Sequence, residues 1–566
     1  MKILQMHADF IEYTPVKKEI RAAEEIEPRT VREEGIVVLF TAFEGGDDAG
    51  VVKQAVSELK EFLAKLGTKR VMVYPFAHLS QNLAPPAEAL GLLLQMEKEA
   101  LGAGLEVRRA PFGWTKALQI KVKGHPLAEM SRSYSSGAAP AQPQPMAKPR
   151  RELTEAEAMA RLRRSDFVGL PDGDHRTIGE RLDLFSFQEV SPGMVYLHAK
   201  GLVLRNLLVD FLRGELLRGG YQEVSTPTLA NTALWQVSGH SAHYKDNMFL
   251  TALGDEELGL KPMNCPSHFL IYRSRKWSFR ELPVRYAAFD PLYRNELSGV
   301  ASGLFRVKSL SQDDAHIIAT EEQAEGELAK MLEMMERVYG TFGLQYKVKI
   351  STRPDDSMGT DEEWARATDT LIRVVKSRGW AYEIKEKEGN FYSPKIDVDV
   401  KDSLGREWQC GTFQLDLQMP KRFKLSYTGS DGKEHLPVVL HRTILGSLER
   451  FMGVLLEHYR GSLPVWLSPV QARVIPLSDE HLGYARSVLE SVVSSGVRAD
   501  GDFASGTMGG KIRDAQLQKI PYMLVVGKKE EDSGTVAVRT RSGEQTFGVK
   551  VDDFVAKVKG EVSSHR

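Results

Sequence analysis

The stretch RYAAFDPLYRNELSGVASGLFRVKSLSQDDAH, residues 285–316, is where this sequence concentrates its chemistry. Within it, PLYRNELSG sets Arg294 and Glu296 in the pattern aromatic, Arg, any residue, Glu. Further on, GSLERF sets Arg450 after a glycine and before an aromatic. Two fixed guanidiniums suit ATP, whose phosphates must be bent and neutralised while a carboxylate attacks the α-phosphorus, a reaction governed by positioning and charge. The stretch ends on His316, and Cys265 in KPMNCPSH and His441 in VVLHRTILGSLERF flank it. Cys, His and His can make a three-ligand zinc site with one or two positions left for substrate. Taken singly, the thiol reads as a core residue, each His as a satisfied polar group and each Arg as half of a surface ion pair. The reading as a site rests on their coincidence in one region.

Working outward, 566 residues are too many for one core and imply three or four domains of about 100–200 residues. Apolar content of 42%, charged content of 27% and a net charge of -1 describe an ordinary globular protein rather than a disordered or membrane one. With charge so balanced, any nucleic-acid partner must be met by Lys and Arg gathered on one face. The only cysteines are Cys265 and Cys410, which argues against a disulfide-dense secreted fold. The opening MKILQMHADFIEY is broken by His7, Asp9 and Glu12 too early to be a signal peptide. No segment approaches the ~20 apolar residues that span a bilayer. No membrane association and a cytoplasmic location are the expectation.

One stretch reads as a linker: SYSSGAAPAQPQPMAKPRRE, residues 133–152, is rich in Pro, Ala, Ser and Gln and has no apolar period. It cannot bury enough surface to offset its ordering entropy and should be extended and mobile. We place the domains at 1–134, 173–463 and 464–566, with linker and a short exposed helix over 135–172. In the first domain KILQMH, EGIVVLFTAF, KRVMVYPF and ALQIKV read as strands, and VVKQAVSELKEFLAKL sets Val52, Val56, Leu59, Leu63 and Leu66 at helical spacing. A long amphipathic helix is predicted from Leu202 to Leu217, stopped by Gly219-Gly220. After Pro464, strands ARVIPL, PYMLVVG and TVAVRTR alternate with helical patterns, which argues for a compact α/β domain with several parallel strands.

Residues 285–316 and LHRTILGSLERFMGVLLE, 440–457, resemble the second and third motifs of class II aminoacyl-tRNA synthetases. The helix beginning near Gly201 with GYQEVSTPTL, including Pro227, resembles the first, the dimer-interface motif. DHRTIGERLDLFSF, VSPGMVYLHAKG, NFYSPKIDVDVKDSLGREWQCGTFQLD and PYMLVVGKKEEDSGTVAVRTRSG are similar to strings of the threonine-specific members, from about Asp174 to the C-terminus. The resemblance implies a class II catalytic domain on an antiparallel sheet with helices, and zinc held by Cys265, His316 and His441. The threonine amine and β-hydroxyl would complete the coordination, with Asp314 bonded to the hydroxyl. Arg294 would meet the threonine carboxylate and the ATP α-phosphate, Glu296 the adenine amine, and Arg306 and Arg450 the γ-phosphate, with magnesium accompanying ATP. Gln312, Tyr392, Lys395, Gln409 and Gln414 would line the amino-acid and adenylate site. Many threonine enzymes have Phe where this chain has Leu310, so an adenine-stacking ring is missing.

Zinc that demands an amine and a β-hydroxyl rejects valine, but serine lacks only a methyl, worth about 1–3 kcal/mol, and a second sieve is required. MKILQMHADFIEY, YPFAHLSQNLA and APFGWTKALQIKVKGHPLAEMSR resemble the archaeal-type editing domain, akin to D-aminoacyl-tRNA deacylases. This implies that His78, Lys116 and Glu129 line a pocket hydrolysing Ser-tRNA, with His7 and His125 nearby. Thr115 departs from the Tyr that commonly precedes the lysine. The last domain resembles the class IIa anticodon-binding module, with Lys519, Glu530 and Arg539 at base-contacting positions. Partners so implied are the tRNA for threonine, ATP, L-threonine and a second copy of the chain. The alternatives are a different class IIa synthetase, a catalytically inactive paralogue and a dedicated editing deacylase.

Overall fold

The computed structural model describes residues 1–20, 22–80, 82–123, 128–134, 154–167, 169–296, 303–402 and 405–565. It divides into two compact units, Met1–Glu152 and Leu153–Arg566. The expected linker from 135 to 152 and His125 lie outside the described residues.

In the first unit the strands are β1 (Lys2–Lys18), β2 (Val31–Ala42), β3 (Arg70–Pro75), β4 (Glu106–Arg109), β5 (Trp114–Val122) and β6 (Glu129–Ser133). They form one sheet in the order β4-β3-β2-β1-β5, with β6 also on β1. The sequence predicts β1 over residues 2–7, but it runs on to Lys18 because it is paired along both edges, by β2 on one and by β6 and β5 on the other. Ser133 closes β6 and Tyr134 is buried, its backbone N–H donating to Met1 O at 2.9 Å.

Helices α1 (Ala49–Leu66) and α2 (Pro86–Gly102) connect the parallel part of this sheet. The Asp48 carboxylate caps α1 by accepting from Gly50 and Val51, and Gly67 at φ +67° ends it. Val52, Val56, Leu59 and Leu63 pack with Val37, Leu39, Val71 and Val73 in one core. The opposite side chains of the same strands, among them Tyr13, Val38, Phe40 and Tyr74, form a second.

In the second unit an eight-stranded sheet is built from β7 (Gln222–Glu223), β8 (Val284–Ala288), β9 (Asp314–Ala319), β10 (Tyr346–Ser351), β11 (Tyr382–Lys385), β12 (Lys395–Lys401), β13 (Glu407–Asp416) and β14 (Val438–Thr443). Its order is β11-β10-β12-β13-β14-β9-β8-β7, antiparallel throughout except at the two edges. Helices α3 (His175–Arg181), α4 (Ala199–Arg218), α5 (Cys265–Arg273), α6 (Glu321–Phe342), α7 (Asp361–Ser377) and α8 (Leu448–His458) accompany it. One large core joins Leu204, Leu208 and Leu212 of α4, Leu328, Met331 and Met335 of α6, and Phe451 and Leu455 of α8 to the sheet residues Ile317, Ile350, Val398, Phe413 and Leu440.

The C-terminal region has β15 (Ala472–Pro476), α9 (Leu482–Ser494), β16 (Ala499–Gly501), α10 (Met508–Leu517), β17 (Tyr522–Val526), α11 (Lys528–Ser533), β18 (Thr535–Thr540), β19 (Gln545–Lys550) and α12 (Val551–Ser563). Of the predicted strands β15 and β17 run parallel, with the short β16 added on the other edge of β15, while TVAVRTR forms β18, which with β19 closes the sheet antiparallel. Among the described residues no helix is long and apolar enough to cross a membrane.

Helix α4 makes its closest approach at Gly201, where an added Cβ would stand 1.9 Å from Leu184 O. That oxygen also accepts from His198 N at 2.8 Å and belongs to the backbone, so it cannot swing aside. Gly201→Ala is expected to destabilise the protein by about 3 kcal/mol through overpacking. Thermal unfolding of the full chain checks this, and an unchanged melting temperature would contradict it.

Candidate active site

Strand register assembles the centre of the site. His316 on β9 stands opposite His441 on β14, His441 opposite Gln414 on β13, and Gln414 opposite Lys395 on β12. Residues opposite one another share a face, so these four form one row across the sheet. Two positions along, Asp314, Thr443, Thr412 and Asp397 lie on the same side. Helix α5 brings Cys265 up to this row.

Cys265, His316 and His441 are all buried, and one ligand atom from each lies within 4.8 Å of the others. His316 Nδ1 is 2.8 Å from His268 Nδ1, leaving Nε2 for a metal. His441 Nε2 is 2.9 Å from Asp416 Oδ2, leaving Nδ1. Engaging the second nitrogen of each ring is how a metal-binding imidazole is oriented. Burial holds the His316 imidazole well below its usual pKa, so it is the neutral ligand a metal requires. Burial also pushes the Cys265 thiol well up, with the charges of Asp314 and Asp416 adding to the effect. A divalent cation held by these atoms would reverse that balance for the thiol. Two imidazoles and a thiol fit zinc, with room for substrate to complete the coordination.

The row opens into a cavity of about 490 Å³ that also takes in Arg294, Glu296, Arg306, Leu310, Gln312, Asp314, Tyr392, Gln409 and Arg450. Every residue that the resemblance assigns to amino acid, ATP or zinc therefore lines one space. Arg450 Nε donates to Phe305 O at 2.9 Å and its Nη1 to Gln409 O at 2.8 Å. Arg294 Nε donates to Pro262 O at 3.2 Å. Arg306 and Glu296 pair with each other at 2.8 Å. Tyr392 OH donates to Gln414 Oε1 at 2.9 Å, and Lys395 pairs with Asp397 at 2.8 Å. Asp314 accepts from Asn264 Nδ2 at 3.1 Å, and burial raises its carboxyl above the usual range.

Sequence reasoning missed Asp313. Its buried carboxylate accepts from Arg442 Nη1 at 2.9 Å, Thr443 Oγ1 at 2.6 Å, and the backbone N–H groups of Ile444, Leu445 and Gly446 at 2.8, 2.9 and 3.1 Å. It thereby shapes the turn between β14 and α8, on which Arg450 rides. Burial raises Asp313 while Arg442 opposes that rise. The signal was present in strand parity, since Asp314 and His316 share a face and Asp313 must point to the other. His268, three residues after Cys265 on α5, was also missed.

In the first unit the three residues that the resemblance assigns to editing do not form a cluster. Lys116 stands opposite Pro15 and Glu129 opposite Met6, nine positions apart on β1 and so about 30 Å along the strand. Lys116 Nζ donates to Pro111 O at 2.9 Å and Trp114 O at 3.0 Å and lies 5.0 Å from the Tyr74 ring centre. Burial lowers its pKa to about 8, against the opposing pull of Glu24. His78 is exposed and packs edge-on against Phe76, and Glu129 is exposed. Thr115 Oγ1 donates to Glu19 Oε1 at 2.8 Å, away from Lys116. A cavity of about 460 Å³, lined by Tyr13, Glu24, Arg109 and Pro111 among others, adjoins Lys116 through the Pro111 carbonyl.

Lys519, Glu530 and Arg539 fall on three elements. Lys519 follows α10 at φ +58°, Glu530 accepts from Gly527 N at 3.1 Å in opening α11, and Arg539 lies on β18 opposite Met523. Among the described residues no hydrogen bond joins any two of them.

Three family models match the chain. The Archaea-specific editing domain of threonyl-tRNA synthetase covers residues 1–134, the tRNA synthetase class II core domain (G, H, P, S and T) 249–459, and the anticodon binding domain 471–561. The threonine--tRNA ligase of Caldanaerobacter subterraneus subsp. tengcongensis is 48% identical over 391 residues, which is 69% of this chain and 61% of the relative. That of Carboxydothermus hydrogenoformans is 48% identical over 390 residues, 68% of this chain and 62% of the relative. The chain thus spans less than two thirds of the length of these curated relatives. Among solved structures, the RNA binding domain of threonyl-tRNA synthetase from Cryptosporidium parvum Iowa II matches with a TM-score of 0.67 and 41% identity. That match covers 69% of this chain and 98% of the other. On these similarities, and with a class II core joined to an editing domain of the archaeal type, the chain belongs to the threonyl-tRNA synthetase family.

Proposed function

We propose that the second unit ligates L-threonine to its tRNA through a threonyl-adenylate, and that the first hydrolyses Ser-tRNA. The observation that carries the first half is the single cavity lined by Cys265, His316 and His441 and by Arg294, Glu296, Arg306 and Arg450. Cys265, His316 and His441 would hold zinc, which when bound would supply a Lewis acid for the amine and hydroxyl of the amino acid, and Asp314 is placed to accept from the hydroxyl. Arg294 holds the threonine carboxylate in line with the α-phosphorus and neutralises charge on the α-phosphate. The carboxylate attacks, pyrophosphate leaves, and a terminal hydroxyl of the tRNA then displaces AMP. Arg450, locked by two backbone carbonyls, and Arg306 hold the γ-phosphate, and magnesium accompanies ATP. ATP exchanges the Glu296–Arg306 pair for the adenine amine on Glu296 and phosphate on Arg306. Gln312, Tyr392, Lys395, Gln409 and Gln414 shape the adenylate site. Lys519, Glu530 and Arg539 meet unstacked anticodon bases, and the enzyme works in the cytoplasm as a homodimer through the segment around Pro227.

Amino-acid-dependent pyrophosphate exchange tests this reading. Threonine is expected to support exchange best, serine less and valine least, with one zinc per chain that Cys265→Ala loses. Threonine-dependent exchange surviving complete metal removal would overturn the zinc assignment. A preference for another amino acid would favour a different class IIa synthetase, and no exchange at all an inactive paralogue.

Leu310 is buried on the wall of this cavity. Leu310→Phe is expected to tighten ATP binding by about 0.5–1.5 kcal/mol through ring stacking on adenine. Equal or weaker ATP affinity in calorimetry would count against it.

For editing, we propose Lys116 as the group that takes a proton from the attacking water; Glu129, about 30 Å away along β1, takes no part in that step. With its pKa lowered to about 8, it is available as a base near neutral pH. Enzyme-dependent hydrolysis of preformed Ser-tRNA should therefore rise with pH and level off above about 8, and Lys116→Arg, which cannot be deprotonated, should abolish it. Ser-tRNA left intact at enzyme levels sufficient for threonylation would refute editing, and a rate falling through this pH range would refute the role of Lys116.

A further inference from the structure

The string DHRTIGERLDLFSF touches none of the reacting groups, yet it places a histidine beneath the ATP side of the cavity. His175, at the start of α3, is fully buried. Its Nε2 accepts from the backbone N–H of Leu304 at 3.0 Å. A nitrogen that accepts from an N–H carries no proton, so Nδ1 carries it and donates to Glu457 Oε1, 2.9 Å away on α8. The same carboxylate accepts from His175 N at 3.2 Å and from Arg406 Nη2 at 2.6 Å. Asp174, next in sequence, is taken up by Arg176 at 2.8 Å.

Asp174, His175 and Glu457 have the residue types and spacing of a metal set. Both carboxylates already hold guanidiniums and both ring nitrogens are engaged, so the cluster acts as a fastening and leaves no ligand atom free. What it fastens is specific. The Phe305 ring packs against the His175 ring, tilted at 4.1 Å, and against the Trp408 ring, stacked at 4.0 Å. Phe305 O is the acceptor that orients Arg450 Nε, and the next residue is Arg306. Gly303, with φ +55°, leaves no space on the other side, since an added Cβ would stand 2.3 Å from His175 Nε2.

We infer that His175 is a positioning residue for ATP. As a neutral Nδ1–H tautomer fixed by Glu457, it pins Leu304 and Phe305, and through them sets Arg450 and Arg306 at the distance the phosphates need. The inference rests on the ATP reading of this cavity. It predicts a selective defect, because the amino-acid side of the cavity is built from the sheet row and is not touched by His175.

Calorimetric ATP binding and pyrophosphate exchange on the full chain test it. His175→Phe keeps the ring and removes the acceptor, and should weaken ATP binding about tenfold while the KM for threonine and the zinc content stay unchanged. His175→Gln, whose Oε1 reaches the position of Nε2, should recover most of the affinity. His175→Asn, which is too short to reach Leu304 N, should not. The Gln and Asn pair keeps the inference testable if the Phe variant does not fold. ATP affinity unchanged in a folded His175→Phe, equal affinity in the Gln and Asn variants, or ATP and threonine constants rising together with a lowered melting temperature would each overturn it. Wild-type protein that binds no ATP would instead remove the underlying reading and this inference with it.

Discussion

A single buried carboxylate organises the second unit of this molecule. Asp313 sits at the entry of β9 and draws its hydrogen bonds from Arg442, Thr443 and three successive backbone N–H groups at the exit of β14. Removing one partner of such a buried ionic pair costs about 3–5 kcal/mol, because the remaining charge is left without compensation. The geometry it secures matters more than the energy. The strand that carries His316, the strand that carries His441 and the helix that carries Arg450 all meet at this carboxylate, so the residues proposed to hold metal and phosphate share one reference point.

Much of the site was legible because its chemistry needs uncommon residue types. A thiol, two imidazoles and two arginines in flanked patterns can be picked out of a chain with only two cysteines. The row that brings them together was not legible, since pairing between strands far apart in sequence leaves no local mark. Asp313 was passed over beside Asp314 for the opposite reason. Its identity was visible, but its role depends on which face of β9 it takes and on a turn more than a hundred residues away. Helix α1 could be read almost to its ends because capping and apolar period are both local, whereas β1 ran well past its predicted end because its extent is decided by its partners.

The two units solve the problem of a functional polar group in a low-dielectric setting in different ways. In the second, the buried Asp313 is met by a guanidinium and by backbone donors, which oppose the rise that burial imposes on its carboxyl. In the first, Lys116 is surrounded by backbone carbonyls and the Tyr74 ring, with Glu24 as the opposing charge, and it yields part of its basicity. The contrast matches the work proposed for each: fixed positive charge for phosphate, a shifted amine for proton transfer.

The row His316, His441, Gln414 and Lys395 also constrains how the chain can vary in length. Side chains alternate along each strand, so the row exists only while three pairings keep the same parity. One residue lost from β9, β13 or β14 would turn an imidazole or amide away from its neighbours and onto the face that packs against helices. The same loss in a connecting loop would leave the row untouched. Chain length in this unit is therefore free to drift between strands and fixed within them.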